Sequence, residues 1–186
     1  MSRRKPHISQ RTPIYIGCEG QSEVEYGILI RSMAEAAGLP VHLRIEDLQA
    51  GDPLARVERA MARIAYIQRS RERFRDRFIL LDTDQIRHSP DRADQARRLA
   101  VQNGIRLVWQ DPCFEALLLR HLPGCAAHRP PDSDSALRAL QREWPDYLKP
   151  MEPKDLVRRI DLEAVKRAAV VETELAEMLR IIGLLT

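Results

Sequence analysis

Phe78-Ile79-Leu80-Leu81-Asp82-Thr83-Asp84 is an apolar run of strand length that ends in two carboxylates one residue apart. In a parallel α/β sheet, ligands sit beyond the carboxyl ends of the strands, so acids placed at such an end face the site rather than the core. Ile14-Tyr15-Ile16-Gly17-Cys18 ends in the same way, with Glu19 and then Gly20. Two strands therefore bring acids to one edge of a sheet. Carboxylate oxygens are what Mg2+ takes from a protein, and Mg2+ in turn binds substrate phosphates. Glu19, Asp82 and Asp84 point to a metal-dependent phosphoryl-transfer site.

After the first of these strands, Ser22 and Glu25 stand at capping-box spacing and predict a helix. Val24, Ile28, Leu29, Met33 and Ala36 recur along it, and Gly38 and Pro40 stop it. Glu23 falls in its first turn, close to Glu19, and is a further candidate ligand. Glu25 reads instead as a complement to the positive end of the helix dipole. Val41, Leu43 and Ile45 alternate with polar residues, which predicts a strand nearer the edge of the sheet. Gly51-Asp52-Pro53 is a turn with Asp52 as N-cap and Pro53 at the first helical position. Leu54, Val57, Met61, Ile64 and Ala65 form one face of the helix that follows. Its end carries Arg69, Arg71, Arg73, Arg75 and Arg77, read as a solvated terminus, where basic residues are favourable, rather than as a nucleic-acid groove.

Beyond the acidic pair, Ser89-Pro90 opens a helix that Gly104 closes, and Ile105 to Trp109 is a fourth strand. Strands alternating with helices of moderate length imply right-handed crossovers. The fold class is therefore α/β, with a mostly parallel sheet of about four strands covered by helices on both faces. Asp111-Pro112-Cys113-Phe114-Glu115 comes next. Pro112 biases Asp111 toward an extended conformation, and Asp111 is a candidate helix cap. Glu115, in the first turn of the helix, is either a ligand at the same end of the sheet or a dipole partner. Cys113, His121, Cys125 and His128 are donor types that zinc takes. Their spacing fits no standard knuckle, so zinc is not expected.

From Pro123 to Ser135 the chain reads as a long loop, with Asp134 or Ser135 capping a helix that reaches Trp144. Pro145, Pro150 and Pro153 forbid a continuous helix through that segment. Helix is expected again from Asp155 to Ile182. Three regions result: a flexible basic tail at 1–12, an α/β domain at 13–150, and a helical extension at 151–186 packed on the same domain.

The 186 residues, 44% of them hydrophobic, suffice for one domain with a real core. A net charge of +3 permits nucleic acid as a partner without demanding it. All but four of the 30 basic residues are arginine, the lysines being Lys5, Lys149, Lys154 and Lys166. Arginine is the better bidentate phosphate ligand, although genomic base composition explains the bias equally well. Aromatic residues at 5% offer few stacking platforms for single strands, which favours backbone recognition. Three cysteines make no even disulfide framework, and no secretory segment precedes the first strand. No apolar stretch approaches the roughly 20 residues that cross a bilayer. A cytoplasmic protein with no membrane partner is expected.

Taken together, Cys18-Glu19-Gly20 with Glu23 following, then Asp82-Thr83-Asp84, then Asp111-Pro112-Cys113-Phe114-Glu115 before a leucine-rich helix resemble the RloB-like family. Those proteins carry a Toprim-type domain, shared with primases, topoisomerases and the overcoming-lysogenization-defect nucleases. The resemblance spans most of Ile14 to Lys149. It implies that Glu19 is the acid-base residue or a metal ligand, and that Asp82 and Asp84 hold Mg2+ or Mn2+, as one ion or two. Glu23 matches the second acid of the Glu-Gly-x-x-Glu pattern. Lys149, in Tyr147-Leu148-Lys149, matches a basic position late in the domain that would stabilise charge on the phosphate. Gly20, Asp111 and Glu115 fall around the substrate or behind the ligands. Two positions depart from the family pattern: Asp111 stands where Asn is more frequent, and Gln85-Ile86 follows the pair where another acid and a His are common.

The resemblance implies a nuclease acting on DNA or RNA in phage defence or a restriction-linked system, with an ABC-type ATPase subunit and a homodimer as partners. No Walker loop occurs in this chain, so nucleotide hydrolysis would belong to a partner. A haloacid-dehalogenase-type phosphatase also uses Asp-x-Asp after a strand. That family keeps the pair on its first core strand with Thr or Val two residues beyond, whereas here the pair follows two earlier strands and Ile86 stands there. A non-catalytic binding or regulatory subunit is the remaining alternative.

Overall fold

A computed structural model describes residues 11–69 and 73–186. Four strands, β1 (Thr12–Cys18), β2 (Val41–Asp47), β3 (Asp76–Asp82) and β4 (Arg106–Gln110), form one sheet in the order β2-β1-β3-β4. Every pairing is parallel, with Ile16 beside both Ile45 and Phe78, and Asp82 beside Gln110. The expected α/β class is thus observed, and β2 lies at an edge as its alternation predicts. Nine helices are found among the described residues. They are α1 (Gln21–Ala36), α2 (Pro53–Gln68), α3 (Asp84–His88), α4 (Pro90–Gln102), α5 (Phe114–His121), α6 (Ser133–Glu143), α7 (Pro153–Leu156), α8 (Leu162–Ala169) and α9 (Thr173–Ile182).

Successive strand residues point to opposite faces, and both faces are buried. Ile14, Ile16, Cys18, Phe78 and Leu80 pack with Tyr26, Leu117, Val165 and Leu179 from α1, α5, α8 and α9. Tyr15, Ile79 and Leu81 pack on the other side with Val57, Ala60 and Ala96 from α2 and α4. A sheet covered twice reads as continuous apolar runs, which is why β1 and β3 stand out so plainly. Gly17 marks a close approach of β1 to the residue that follows its neighbour β2: a Cβ there would lie 2.7 Å from Leu48 Cδ1.

Several boundaries differ from the expectation. Gly20, not Ser22, is the N-cap of α1, and no side chain caps that end. Ser22 is instead inside the helix and buried. The buried face of α1 is Tyr26, Leu29, Ile30 and Ala34, while Ala36 is exposed. In α2, Asp52 caps as expected, accepting from the Ala55 amide at 3.0 Å. Its buried face uses Ala60 in place of Ala65. Arg77 lies in β3 rather than at the end of α2, and Arg71 is outside the described residues.

Asp111 caps nothing. Cys113 is the N-cap of α5, and the Asp111–Pro112 bond is cis. Asp132, not Asp134 or Ser135, caps α6 through the Ser135 amide at 2.7 Å. The expected helix from Asp155 to Ile182 is broken into α7, α8 and α9. Asp161 starts α8 by accepting from the Ala164 amide at 2.8 Å, since an Asp side chain competes with the helix for backbone donors and favours a cap. Thr12, placed in the expected tail, is the first residue of β1; residues 1–10 lie outside the description. Ile160, Val165, Leu175 and Leu179 share one buried cluster with β1 and β3.

Candidate active site

The carboxyl ends of β1 and β3 lie next to one another because the two strands are paired in parallel. Chain direction alone therefore brings Glu19, just after β1, to Asp82, the last residue of β3. The contact is direct: the Asp82 amide donates to Glu19 Oε2 at 2.9 Å. Glu19 Oε1 is held by Arg56 NH2 at 2.8 Å, an ion pair in which both side chains are nearly buried. Glu23 projects from the first turn of α1 and is also buried. A Cβ on Gly20 would lie 3.7 Å from Glu23 Oε2. Because Gly20 is extended, its backbone permits any residue there.

Asp84 opens the short helix α3. Its amide donates to the Pro112 carbonyl at 3.0 Å, and its Oδ2 accepts from Ser133 Oγ at 2.8 Å. The loop after β3 is further tied to the loop after β4, with Thr83 Oγ1 donating to Asp111 Oδ1 at 2.7 Å. Asp111 therefore spends its carboxylate on Thr83 instead of on a helix terminus. Glu115, in the first turn of α5, is buried and pairs with Lys149 Nζ at 2.7 Å. Tyr147 donates to the same Glu115 Oε1 at 3.2 Å. Both ends of the Tyr-x-Lys stretch thus meet Glu115.

The electrostatics are those of acids crowded out of water. Burial, then the charges of Glu19, Glu23, Asp84 and Glu115, push the Asp82 carboxyl up to about 9. Burial also lifts Glu23 to about 7, with Glu19 and Glu115 adding to the rise and its own amide and Lys149 opposing it. For Glu19, burial prevails over the Asp82 amide and Arg56 and leaves the group raised. Glu115 is the exception: burial opposes its charge, but the hydrogen bond and charge of Lys149 outweigh that and hold it below the usual range. A buried carboxyl beside like charges keeps its proton until a cation arrives.

Among the described residues, Asp82 Oδ1 and Asp84 Oδ1 are buried without a hydrogen-bond partner, and such atoms are costly to leave unmet. An all-oxygen donor set suits Mg2+ or Mn2+ rather than zinc, and Asp82, Asp84, Glu19 and Glu23 are the acids from which the ligands of such an ion would be drawn. Among the described residues, no three His, Cys, Asp or Glu side chains are gathered closely enough to hold an ion alone. Mg2+ usually keeps several waters and takes substrate oxygens besides one or two carboxylates, so the two unmet aspartate oxygens fit it. A cavity of about 400 Å³ lined by Trp144, Leu148, Met151 and Arg159 adjoins Lys149 in sequence but contains none of these acids.

Sequence reasoning missed Arg56 and Ser133. Arg56 had a signal: it sits four residues before Ala60 and eight before Ile64, on the face of α2 that is buried. A charge at that spacing must be paired. Ser133 had none, because it reaches Asp84 from across a loop.

A family model for RloB-like protein matches residues 14–179. No curated protein matches the chain, and no solved structure does.

Proposed function

The chain belongs to the RloB-like family, and from that premise we propose that it is a Mg2+- or Mn2+-dependent nuclease of the Toprim type that hydrolyses nucleic-acid phosphodiesters. One observation carries the reading. Five carboxylates from three strand ends, Glu19, Glu23, Asp82, Asp84 and Glu115, gather at one edge of the sheet, where burial first and the charges of the other four second push Asp82 up to about 9. That arrangement opposes stability in the absence of a cation, which is characteristic of sites built for chemistry. A divalent ion drawing its protein ligands from among Asp82, Asp84, Glu19 and Glu23, and the rest from water and substrate, would polarise the phosphate and make bound water a better nucleophile.

The residues of the chain supply the remainder. Glu19, fixed from two sides, would take the proton of the attacking water as the water oxygen bonds to phosphorus, and the sugar oxygen would leave with a proton drawn from solvent water. Lys149, half-exposed and joined to Glu115, would face the charge that builds on the phosphate. In phage defence or a restriction-linked system, the partner in this proposal is an ABC-type ATPase subunit, and the assembly contains two copies of this chain. No helix among the described residues is long and apolar enough to cross a membrane, and a cytoplasmic setting is part of the same proposal.

The test is cleavage of plasmid, single-stranded DNA and total RNA by the purified protein, with Mg2+ or Mn2+ against EDTA and with Asp82→Asn alongside. Metal-dependent cleavage lost in the variant is the expected result and names the substrate class. An Asp82→Asn protein as active as wild type would sink the reading. Absence of cleavage even with the ATPase partner present would favour a non-catalytic binding subunit.

A further inference from the structure

We infer that Arg56 is the positioning residue of this site, fixing Glu19 in the orientation in which that carboxylate also accepts the Asp82 amide. The inference rests on the metal-dependent reading given above and adds to it a residue that no motif identifies.

Arg56 sits in the first turn of α2, where a positive charge faces the positive end of the helix dipole. Helix stability therefore does not account for it. It is also 4% exposed, and arginine is almost never fully buried unless paired. Its guanidinium is anchored at two points: NH2 meets Glu19 Oε1 at 2.8 Å, and Nε donates to the Gln49 carbonyl at 3.3 Å. The loop that presents this carbonyl is itself shaped for it. Gln49 has a positive φ of 61°, and its amide donates to Asp47 Oδ1 at 2.7 Å. Asp52 then caps α2, and the Arg56 amide donates to the Asp52 carbonyl at 3.1 Å. The β2–α2 junction thus holds one planar fork against one carboxylate, and the opposite oxygen of that carboxylate is held by β3.

A mere counter-charge and a positioning residue give opposite signs for metal affinity. Removing a nearby positive charge tightens cation binding by Coulomb's law. Removing the partner that orients a ligand weakens it, on the order of ten- to hundredfold. Mn2+ binding followed by electron paramagnetic resonance on the full chain separates the two. For Arg56→Gln the expected result is affinity weakened by about tenfold or more, with no further loss when the substitution is made in a Glu19→Gln background, since coupled residues are not additive. Tighter or unchanged binding overturns the inference. If circular dichroism shows that Arg56→Gln does not fold, Arg56→Lys carries the comparison. The ammonium keeps the charge but lacks the rigid planar fork that spans Glu19 and Gln49 from separate nitrogens, so weaker binding supports the inference and unchanged binding overturns it. Wild-type protein that binds no Mn2+ overturns the metal-dependent reading and this inference together. Wild-type protein that binds Mn2+ yet cleaves nothing removes only the hydrolase reading, and the sign of the Arg56 effect still decides the role of Arg56.

Discussion

The backbone amide of Asp82 donates to the side chain of Glu19 at 2.9 Å, so the ends of β1 and β3 are joined by an acid that both strands need. The bond fixes Glu19 without using either Asp82 carboxylate oxygen. Asp82 keeps its own acid group for the site, and the cost is a buried carboxyl among like charges.

That cost has a pH signature. The Asp82 carboxyl sits at about 9 in the folded chain against an ordinary 3.8. Between those values the native state binds more protons than the unfolded one. The contribution to stability is intact below about pH 4 and is lost progressively as pH rises toward 9. Urea unfolding in EDTA at pH 5 and pH 8 is therefore expected to show Asp82→Asn more stable than wild type at pH 8, with a flatter dependence between the two. Mg2+ should raise the midpoint of wild type and leave that of the variant unchanged. Equal slopes in the two proteins would contradict the assignment of Asp82 to a site strained without metal.

The strands and the acids at their ends were legible because a sheet buried on both faces leaves uninterrupted apolar runs. A residue just beyond such a run is at the ligand edge whatever the rest of the chain does. Asp82, Asp84 and Glu19 were readable for that reason, and Glu115 because a Pro-punctuated turn placed it in a first helical turn at the same edge. The caps differ from expectation where three acceptors stand close together. Asp132, Asp134 and Ser135 can all begin a helix, and only tertiary packing selects Asp132. Ser133 was illegible altogether, since its contact with Asp84 spans 49 positions and leaves no periodic trace. Arg56 lay between: its spacing marks a buried face, but nothing local says which acid meets it.

Lys149 and Tyr147 both reach Glu115, and their consequences for turnover should differ. Under the proposed mechanism Lys149→Ala removes the charge that faces the phosphate, and cleavage is expected to fall by on the order of a hundredfold or more. Tyr147→Phe removes one neutral donor at 3.2 Å and keeps the Lys149 pair, so a loss of less than about tenfold follows from the modest net worth of such a bond. Steady-state cleavage by the two variants under one set of conditions makes the comparison. A Tyr147→Phe loss equal to that of Lys149→Ala would shift the catalytic role toward the phenol.

His121 predicts acid lability away from the site. Its Nδ1 faces the Leu117 carbonyl at 2.8 Å and so carries the proton, leaving Nε2 to accept from Tyr26 Oη at 3.0 Å. Both positions are filled in the neutral ring. Burial lowers the group to about 4 from an ordinary 6.5, against the Leu117 hydrogen bond. The unfolded state thus binds the extra proton first, and stability present above about pH 6.5 is lost as pH falls toward 4. The contribution amounts to about 3 kcal/mol at most. Denaturation of His121→Gln between pH 7 and pH 4.5 is expected to show a shallower fall than wild type from a lower starting stability, since Tyr26 loses a buried partner. A parallel fall in both proteins would mean that other groups control the acid transition.

Ser133 gives the last prediction, because it ties α6 to the second aspartate. Its Oγ donates to Asp84 Oδ2 at 2.8 Å, which leaves Oδ1 as the oxygen without a partner among the described residues. Freed of that bond, the Asp84 carboxylate can rotate, and a ligand that must be reoriented binds metal less well. Ser133→Ala is expected to weaken Mn2+ affinity by about tenfold. Its unfolding free energy should fall by no more than about 1 kcal/mol, the usual net value of one hydrogen bond. A calorimetric Mn2+ titration beside a urea curve reads both quantities. Unchanged affinity with lowered stability would make Ser133 a structural tether of α6, and Asp84 would then orient itself through the α3 backbone alone.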